Sequence, residues 1–292
     1  MGKTKVLERR RRSVRNIRKI TRTMELISTA RFKRAMDRAA AGSAFADRLT
    51  ALLGHLAASG TEVTHPLLQQ RSEKRQAVLL VLTSNRGLCG GYNSAVMRLA
   101  VLQRKKLEEE YAKLSVEVSG KRGVSAFKFR RLPVDEKYFH FDARPAFADV
   151  EVLARRFMED FLDGRIDRVD VAYTKLESVS RQYPVVETLL PYQAPAEDEN
   201  GGLHHAEYEF LPSPGSILEE IVPFTFKIRL FRCFLESAAA EQIARMIAMK
   251  TATENADSML AGLSMAYNRA RQTQITSEIL EIVSGAEALQ AE

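Results

Sequence analysis

One segment constrains this chain more than any other. Met246, Met249, Thr253, Ala256, Leu260, Leu263, Tyr267 and Ala270 follow one another in steps of 3, 4, 3, 4, 3, 4 and 3 residues. That alternation is the heptad spacing that turns one side of an α-helix into a seam for a second helix. A single Met or Leu stripe belongs as readily to an ordinary core, but seven consecutive steps do not. From Ser216 to about Gly285 the segment contains one proline, Pro223, and one interior glycine, Gly262. A helix of about seventy residues, near 105 Å long, is therefore permitted. Ile275, Ile279 and Ile282 resume the stripe after a five-residue step, which implies a change of winding.

The other end of the chain has the same character. Between Lys5 and Leu56 there is no proline and there are only two glycines, Gly42 and Gly54. Val14, Ile17, Ile20, Met24 and Ile27 form a heptad stripe, and Leu49, Leu52, Leu53 and Leu56 keep an apolar side further on. A rod of about 75 Å follows. Two long heptad helices at opposite ends of one chain predict an antiparallel pair with the middle of the chain inserted between them. The second helix is expected to outrun the first by about twenty residues and to project as a single helix.

The middle reads differently. Ala77–Thr83 is a continuous apolar run, as expected of a strand buried on both faces. It leads through Ser84-Asn85-Arg86-Gly87-Leu88-Cys89-Gly90-Gly91 into a helical stretch from about Asn93 to Glu110. Leu114–Ser119, Arg168–Leu176, Val185–Leu190 and Glu207–Leu211 are further strand candidates, with a helix between Pro145 and Gly164. This alternation predicts an open, Rossmann-like α/β sheet with crossover helices. The expected organisation is a coiled-coil helix over 1–60, an α/β domain over 75–213 and a second coiled-coil helix over 214–292.

Charge is concentrated at the start. Residues 1–38 hold fourteen Lys and Arg against Glu8, Glu25 and Asp37, a net +11, while the whole chain is +7. Such an arm implies an acidic partner, whether nucleic acid, anionic lipid or an acidic protein surface. Two cysteines, Cys89 and Cys233, exclude a disulfide scaffold and a four-cysteine zinc site. No run of eighteen apolar residues exists and the N-terminus is charged from its first residues, so a soluble protein of a reducing compartment is expected.

Motifs for chemistry are sparse. The Gly87-Leu88-Cys89-Gly90-Gly91 turn offers backbone N–H groups of the kind that cradle phosphate, but it lacks a P-loop lysine and dinucleotide-binding spacing. Tight strand-to-helix packing is the better use for Gly87, Cys89, Gly90 and Gly91. Cys89 has no histidine nearby, His204-His205 has no further ligands at metal spacing, and Asp135, Glu136 and Asp142 form no acid–base pair. The residues point to no catalytic group, no cofactor and no metal. Asn268, Arg269, Arg271, Gln272, Thr273, Gln274 and Thr276 are more informative, because arginines among amides and hydroxyls suit directional contacts with another protein.

Three segments resemble the gamma subunits of F-type ATP synthases. They are Ser13–Arg31, with Lys19-Ile20-Thr21-Arg22-Thr23-Met24-Glu25-Leu26-Ile27; the turn Leu82–Asn93; and the C-terminal series Glu236-Ser237, Ala244-Arg245-Met246, Met249-Lys250, Tyr267-Asn268-Arg269-Ala270-Arg271-Gln272 and Ile275-Thr276 through Gly285. They make up roughly a third of the chain. The resemblance implies a non-catalytic central rotor, a bent antiparallel coiled coil turning inside a ring of three α and three β subunits. Its α/β domain would meet the epsilon subunit and the membrane c-ring, on the cytoplasmic face of a bacterial inner membrane. It further implies that Arg271, Gln272 and Thr276 touch β-subunit loops. Met24 would face an acidic β loop, where an added cation is harmful, and Arg31, Lys33 and Arg34 would face the same carboxylate-rich region. The competing readings are a coiled-coil nucleic-acid-binding protein gripping phosphates with Arg9–Arg38, and an α/β enzyme with helical arms.

Overall fold

A computed structural model describes residues 2–58, 65–69, 71, 73–141, 144–192 and 214–290. The expected strand Glu207–Leu211 and the His204-His205 loop lie outside the described residues. Helix α1 spans Gly2–Ala58 and helix α5 spans Pro214–Gln290. Between them come β1 (Gln76–Leu82), α2 (Tyr92–Glu110), β2 (Lys113–Ser119), α3 (Lys121–Phe129), β3 (Glu136–Tyr138), α4 (Phe147–Leu162), β4 (Arg168–Leu176) and β5 (Gln182–Leu190). The chain divides into two compact units, residues 1–28 with 245–292, and residues 29–244.

In the larger unit the strands form one sheet in the order β3-β2-β1-β4-β5. β1 pairs in parallel with β2 and β4, β2 pairs in parallel with β3, and β5 closes the edge antiparallel to β4. Alternation along β1 explains its unbroken apolar run. Val78, Leu80 and Leu82 face one layer, with Val150, Ala154, Phe157 and Phe161 of α4 and Val222, Phe226 and Leu230 of α5. Ala77, Leu79 and Val81 face the other, with Val96, Met97 and Ala100 of α2 and Phe127 of α3. Each such aliphatic side chain withdrawn from water contributes about 1.5–3 kcal/mol. Helix α5 continues through Pro223, which has no N–H to bond back along the helix. Buried Val222 and Phe226 on either side hold the helix against the sheet there.

Helix α5 runs alongside β4 in the same direction. Arg229 pairs with Glu187, which also accepts from Tyr173 Oη at 2.8 Å, and Glu236 accepts from the Leu176 N–H at 3.2 Å. Seven helical residues and three strand residues each cover about 10 Å, so the two elements keep step.

In the smaller unit the two chain ends run antiparallel. Thr4 Oγ1 donates to Gln274 Oε1 at 2.8 Å, and the Arg11 guanidinium lies 4.7 Å from the centre of the Tyr267 ring. Arg18 pairs with Asp257, and the Thr21 and Thr253 hydroxyls meet at 2.8 Å. On α5 the buried and half-buried residues follow the expected seam from Met246 to Ala270.

On α1 the seam differs from expectation by one residue. Val14, Thr21 and Ser28, seven apart, are buried, with Leu7 and Arg11 half-buried before them and Met24 and Glu25 half-buried between Thr21 and Ser28. Ile17, Ile20 and Ile27 are instead 52%, 59% and 47% exposed. Small side chains opposite Thr253 and Ala256 let the helices come close, and Thr21 satisfies its hydroxyl on the Arg18 carbonyl at 3.1 Å. Polarity alone ranks Thr and Ser below Ile, so a count of apolar residues picks the neighbouring stripe. Two further expectations are corrected. The contact of Thr4 with Gln274 shows that α1 still covers α5 around residues 267–274. Ile275, Ile279 and Ile282 do not resume the seam, being 44%, 55% and 71% exposed. The pairing register, not helix length alone, decides where cover ends.

A seam of this kind has no room for bulk. Thr253→Leu is expected to destabilise the paired helices by about 1–3 kcal/mol, read as a lower midpoint for thermal loss of helical circular dichroism. An unchanged midpoint would show a loose seam.

Candidate functional site

The turn after β1 is held by its own side chains. The Ser84 N–H donates to Asn93 Oδ1 at 3.0 Å, and Asn93 Nδ2 donates to Ser84 Oγ at 2.8 Å and Cys89 Sγ at 3.1 Å. Ser84 Oγ donates to the Arg86 carbonyl at 2.6 Å. Leu88 and Gly90 both take positive φ, 64° and 53°, which folds the chain back between strand and helix. Only glycine adopts that conformation freely, which accounts for Gly90.

The same turn reaches outward to three other elements. Tyr92 Oη lies 2.6 Å from Ser237 Oγ and donates to the Ser237 carbonyl at 3.1 Å, while Cys89 and Tyr92 pack on Ala240 of α5. Asn85 Nδ2 donates to the Phe139 carbonyl at 3.0 Å, just past β3, and Asn85 Oδ1 accepts from the Lys121 N–H at 3.1 Å at the start of α3. Gly87 lies against the Arg122 guanidinium, and Gly91 is the residue before α2. The Cys89 thiol is 2% exposed and sits inside this knot, out of reach of a substrate.

Buried charges key the helices to the sheet. Glu117 on β2 is 4% exposed and accepts from Tyr138 Oη at 2.7 Å and from Arg156 Nη2 of α4 at 2.6 and 2.7 Å. Burial pushes its pKa above the usual carboxylate range, against the opposing pull of Arg156 and Tyr138. Asp170 on β4, fully buried on the opposite face, accepts from Gln103 of α2 at 2.7 Å, Arg168 at 2.9 Å and Thr188 at 2.8 Å. Burial would raise Glu187 too, but Arg229 outweighs it and holds that carboxyl below its ordinary range. Burial drives the Cys233 thiol well up, so it stays protonated. These groups are occupied in structural bonds. Among the described residues no cluster of His, Cys, Asp and Glu could hold a metal ion, and no helix is long and apolar enough to cross a membrane.

The residues implied as partner contacts fall into separate groups. Met24 is half-buried in the smaller unit, between exposed Ile20 and Ile27. Arg271, Gln272 and Thr276 are exposed in that unit, level with the first residues of α1 and about 27 Å along α5 from Thr253, which faces Thr21. Arg31, Lys33 and Arg34 are exposed and belong to the larger unit. Within the smaller unit, Met24 and the Arg271 group lie on separate stretches of the helix pair. Sequence reasoning missed a basic flank on α1, Arg12, Arg15, Lys19 and Arg22, all exposed and again in steps of 3, 4 and 3. Spacing the arginines rather than counting them would have found it.

A helix pair with exposed apolar and basic flanks in one unit, and in the other a three-layer α/β sheet whose carboxylates Glu117, Asp170 and Glu187 are taken up in bonds between elements, are the architecture of a structural and interaction protein. A family model described as ATP synthase matches residues 3–289. The ATP synthase gamma chain of Rhodopirellula baltica is 51% identical, covering 99% of this chain and 100% of that one, and the gamma chain of Gemmatimonas aurantiaca is 38% identical over 99% and 100%. The chain belongs to the ATP synthase gamma chain family, a family of non-catalytic subunits. The fold is that of solved rotor subunits. A chain of the Euglena gracilis mitochondrial ATP synthase, described as OSCP/F1/c-ring in rotational state 3, aligns with a TM-score of 0.67 at 17% identity, covering 99% of this chain and 95% of that one. A chain of the rotor of the same enzyme aligns at 0.61 and 15% identity, over 94% and 99%.

Proposed function

We propose that this chain is the central rotor stalk of an F-type ATP synthase. It turns within a ring of α and β subunits and couples ion flow through a c-ring to ATP synthesis or hydrolysis on the β subunits. It works as a peripheral subunit at the cytoplasmic face of a bacterial inner membrane, with an epsilon subunit as a further partner. The observation that carries this reading is the stripe of Ile17, Ile20 and Ile27, which the two-helix seam leaves exposed with half-buried Met24 at its edge. A contiguous apolar stripe on a helix pair is the mark of a surface covered by another protein. Beside it the basic flank suits acidic loops. A rotor acts only if its faces favour one β conformation over another, and an asymmetric helix pair with one greasy and one cationic flank has that property. The family assignment leaves the nucleic-acid reading of the basic arm, and the enzyme reading of the α/β domain, without support.

In this reading Met24, Arg271, Gln272 and Thr276, with Arg31, Lys33 and Arg34, are contacts to β subunits. The turn Gly87–Gly91 with Cys89 fastens sheet to helix. A charge-assisted bond contributes about 1.5–3 kcal/mol, enough to bias a β state and enough to act as a brake. An apolar Met24 beside acidic loops therefore avoids an ion pair that would have to break at each step. Met24→Lys is expected to lower the ions pumped per ATP in reconstituted vesicles while leaving the helical signal unchanged, and Arg271→Ala with Gln272→Ala to weaken assembly or slow turnover. Unchanged pumping per ATP sinks the Met24 assignment, and normal assembly and rate sink the second.

A further inference from the structure

The end of α3 forms a protruding knob. Phe127 is fully buried and Leu132 packs against the same core, so both ends of the short segment between them are anchored. The Leu132 N–H donates to the Phe127 carbonyl at 3.0 Å and the Arg131 N–H to the Lys128 carbonyl at 3.0 Å. That closure throws residues 128–131 outward. Phe129 is 86% exposed, more than any other large apolar side chain described. Arg131 is held at φ +56°, a conformation that glycine or asparagine usually takes at a helix end. A long cation placed there is strained backbone at an exposed tip, and strain of this kind concentrates where a surface is used.

The charge around the knob is of one sign. Lys121, Arg122, Lys128, Arg130 and Arg131 are all exposed, and residues 121–131 contain no Asp or Glu. Among the described residues none of the five forms an ion pair. The nearest acids along the chain are Glu117, which is 4% exposed and bonded to Tyr138 and Arg156, Asp135, which accepts from the Val116 N–H at 2.7 Å, and Glu136.

We infer that this corner docks on an anionic lipid surface, with Phe129 entering the interface and the cations meeting phosphate headgroups. The inference goes beyond the stalk reading and stands on the knob alone. Aromatic side chains sit favourably at the headgroup level, and clustered Lys and Arg are drawn to anionic leaflets. The shape decides between a lipid surface and an acidic protein. A convex knob carrying one projecting ring needs a soft surface that yields around it, whereas a protein partner would have to offer a matching pocket.

The chain contains no tryptophan, so Phe129→Trp installs a single local reporter. The full-length variant is titrated with phosphatidylcholine vesicles, with and without phosphatidylglycerol. The expected result is a blue-shifted emission shielded from an aqueous quencher, with the anionic vesicles only. Adding Arg130→Gln and Arg131→Gly, which keeps the turn, should raise the lipid needed for half the change about thirtyfold. The N-terminal arm also attracts anions, so sedimentation alone does not decide. Emission unchanged while the chain co-sediments with anionic vesicles overturns the inference, because binding then runs through the arm. A shift with polyglutamate but not with vesicles overturns it in favour of an acidic protein.

Discussion

Gly120→Ala is expected to destabilise the larger unit by about 3 kcal/mol or more. Gly120 follows β2 at φ +100°, and a Cβ built there would lie 2.2 Å from the Thr83 carbonyl oxygen. That oxygen belongs to backbone and cannot swing away. Thr83 is itself fixed, since its N–H and Oγ1 both donate to the Ser119 carbonyl, at 2.8 and 2.7 Å, and its Oγ1 accepts from the Gly123 N–H at 3.0 Å. The clash would therefore be passed to the turn that begins at Ser84. Gly262 makes the contrast, because a Cβ there meets nothing within 4 Å in the interior of α5. Gly262→Ala should stabilise by about 0.5–1 kcal/mol. Urea unfolding of the two variants beside the parent checks both signs, and equal midpoints would refute the close approach at Gly120.

Arg156→Met should cost about 3 kcal/mol at neutral pH and much less in acid. The variant strands Glu117, whose side chain is 5% exposed, without its counter-charge. The Arg156 side chain is 39% exposed, so solvent already screens part of the pair and the lower end of the usual range applies. The direction with pH follows from proton binding. Burial raises the Glu117 pKa in the folded state, so above the ordinary carboxylate value the folded chain holds more protons than the unfolded one. Stability from this site then falls as pH rises, and losing Arg156 steepens the fall. Thermal midpoints of parent and variant should converge near about pH 4 and separate toward neutrality. Adding Glu117→Gln should recover most of the loss, whereas a pH-independent deficit would mean that Arg156 matters only through its packing.

Much of the fold could be read from residue order. The apolar run of β1, the alternation of β4 and the heptads of α5 each announce one period, and each element forms where that period holds. Two elements went unseen. Helix α3 carries five cations and an exposed Phe129 in and beside nine residues, so only Phe127 and Gly123 face inward and no stripe stands out. Strand β3 is three residues long and owes its place to β2 rather than to its own side chains. The α1 seam was misplaced for a different reason, because Thr21 and Ser28 are chosen for size and hydroxyl geometry. The polar cluster around Arg271 and the Gly87–Gly91 turn stood out by residue type, but the roles given to Met24, Arg31, Lys33 and Arg34 came only through resemblance. Nothing in the spacing of Met24, Arg31 or Arg271 indicates what they touch, since the partner proposed for them lies outside the chain.

The bonded carboxylates inside the α/β domain bear on how it would respond to mechanical load. Asp170 holds Gln103 of α2 on one side of the sheet, while Glu117 holds Arg156 of α4 and Glu187 holds Arg229 of α5. Greasy layers alone can slide past each other by a fraction of a turn, at small cost for each contact exchanged. Here any such slip would leave a charge stranded in a dry interior, so the layers are locked against shear and would twist as one solid piece.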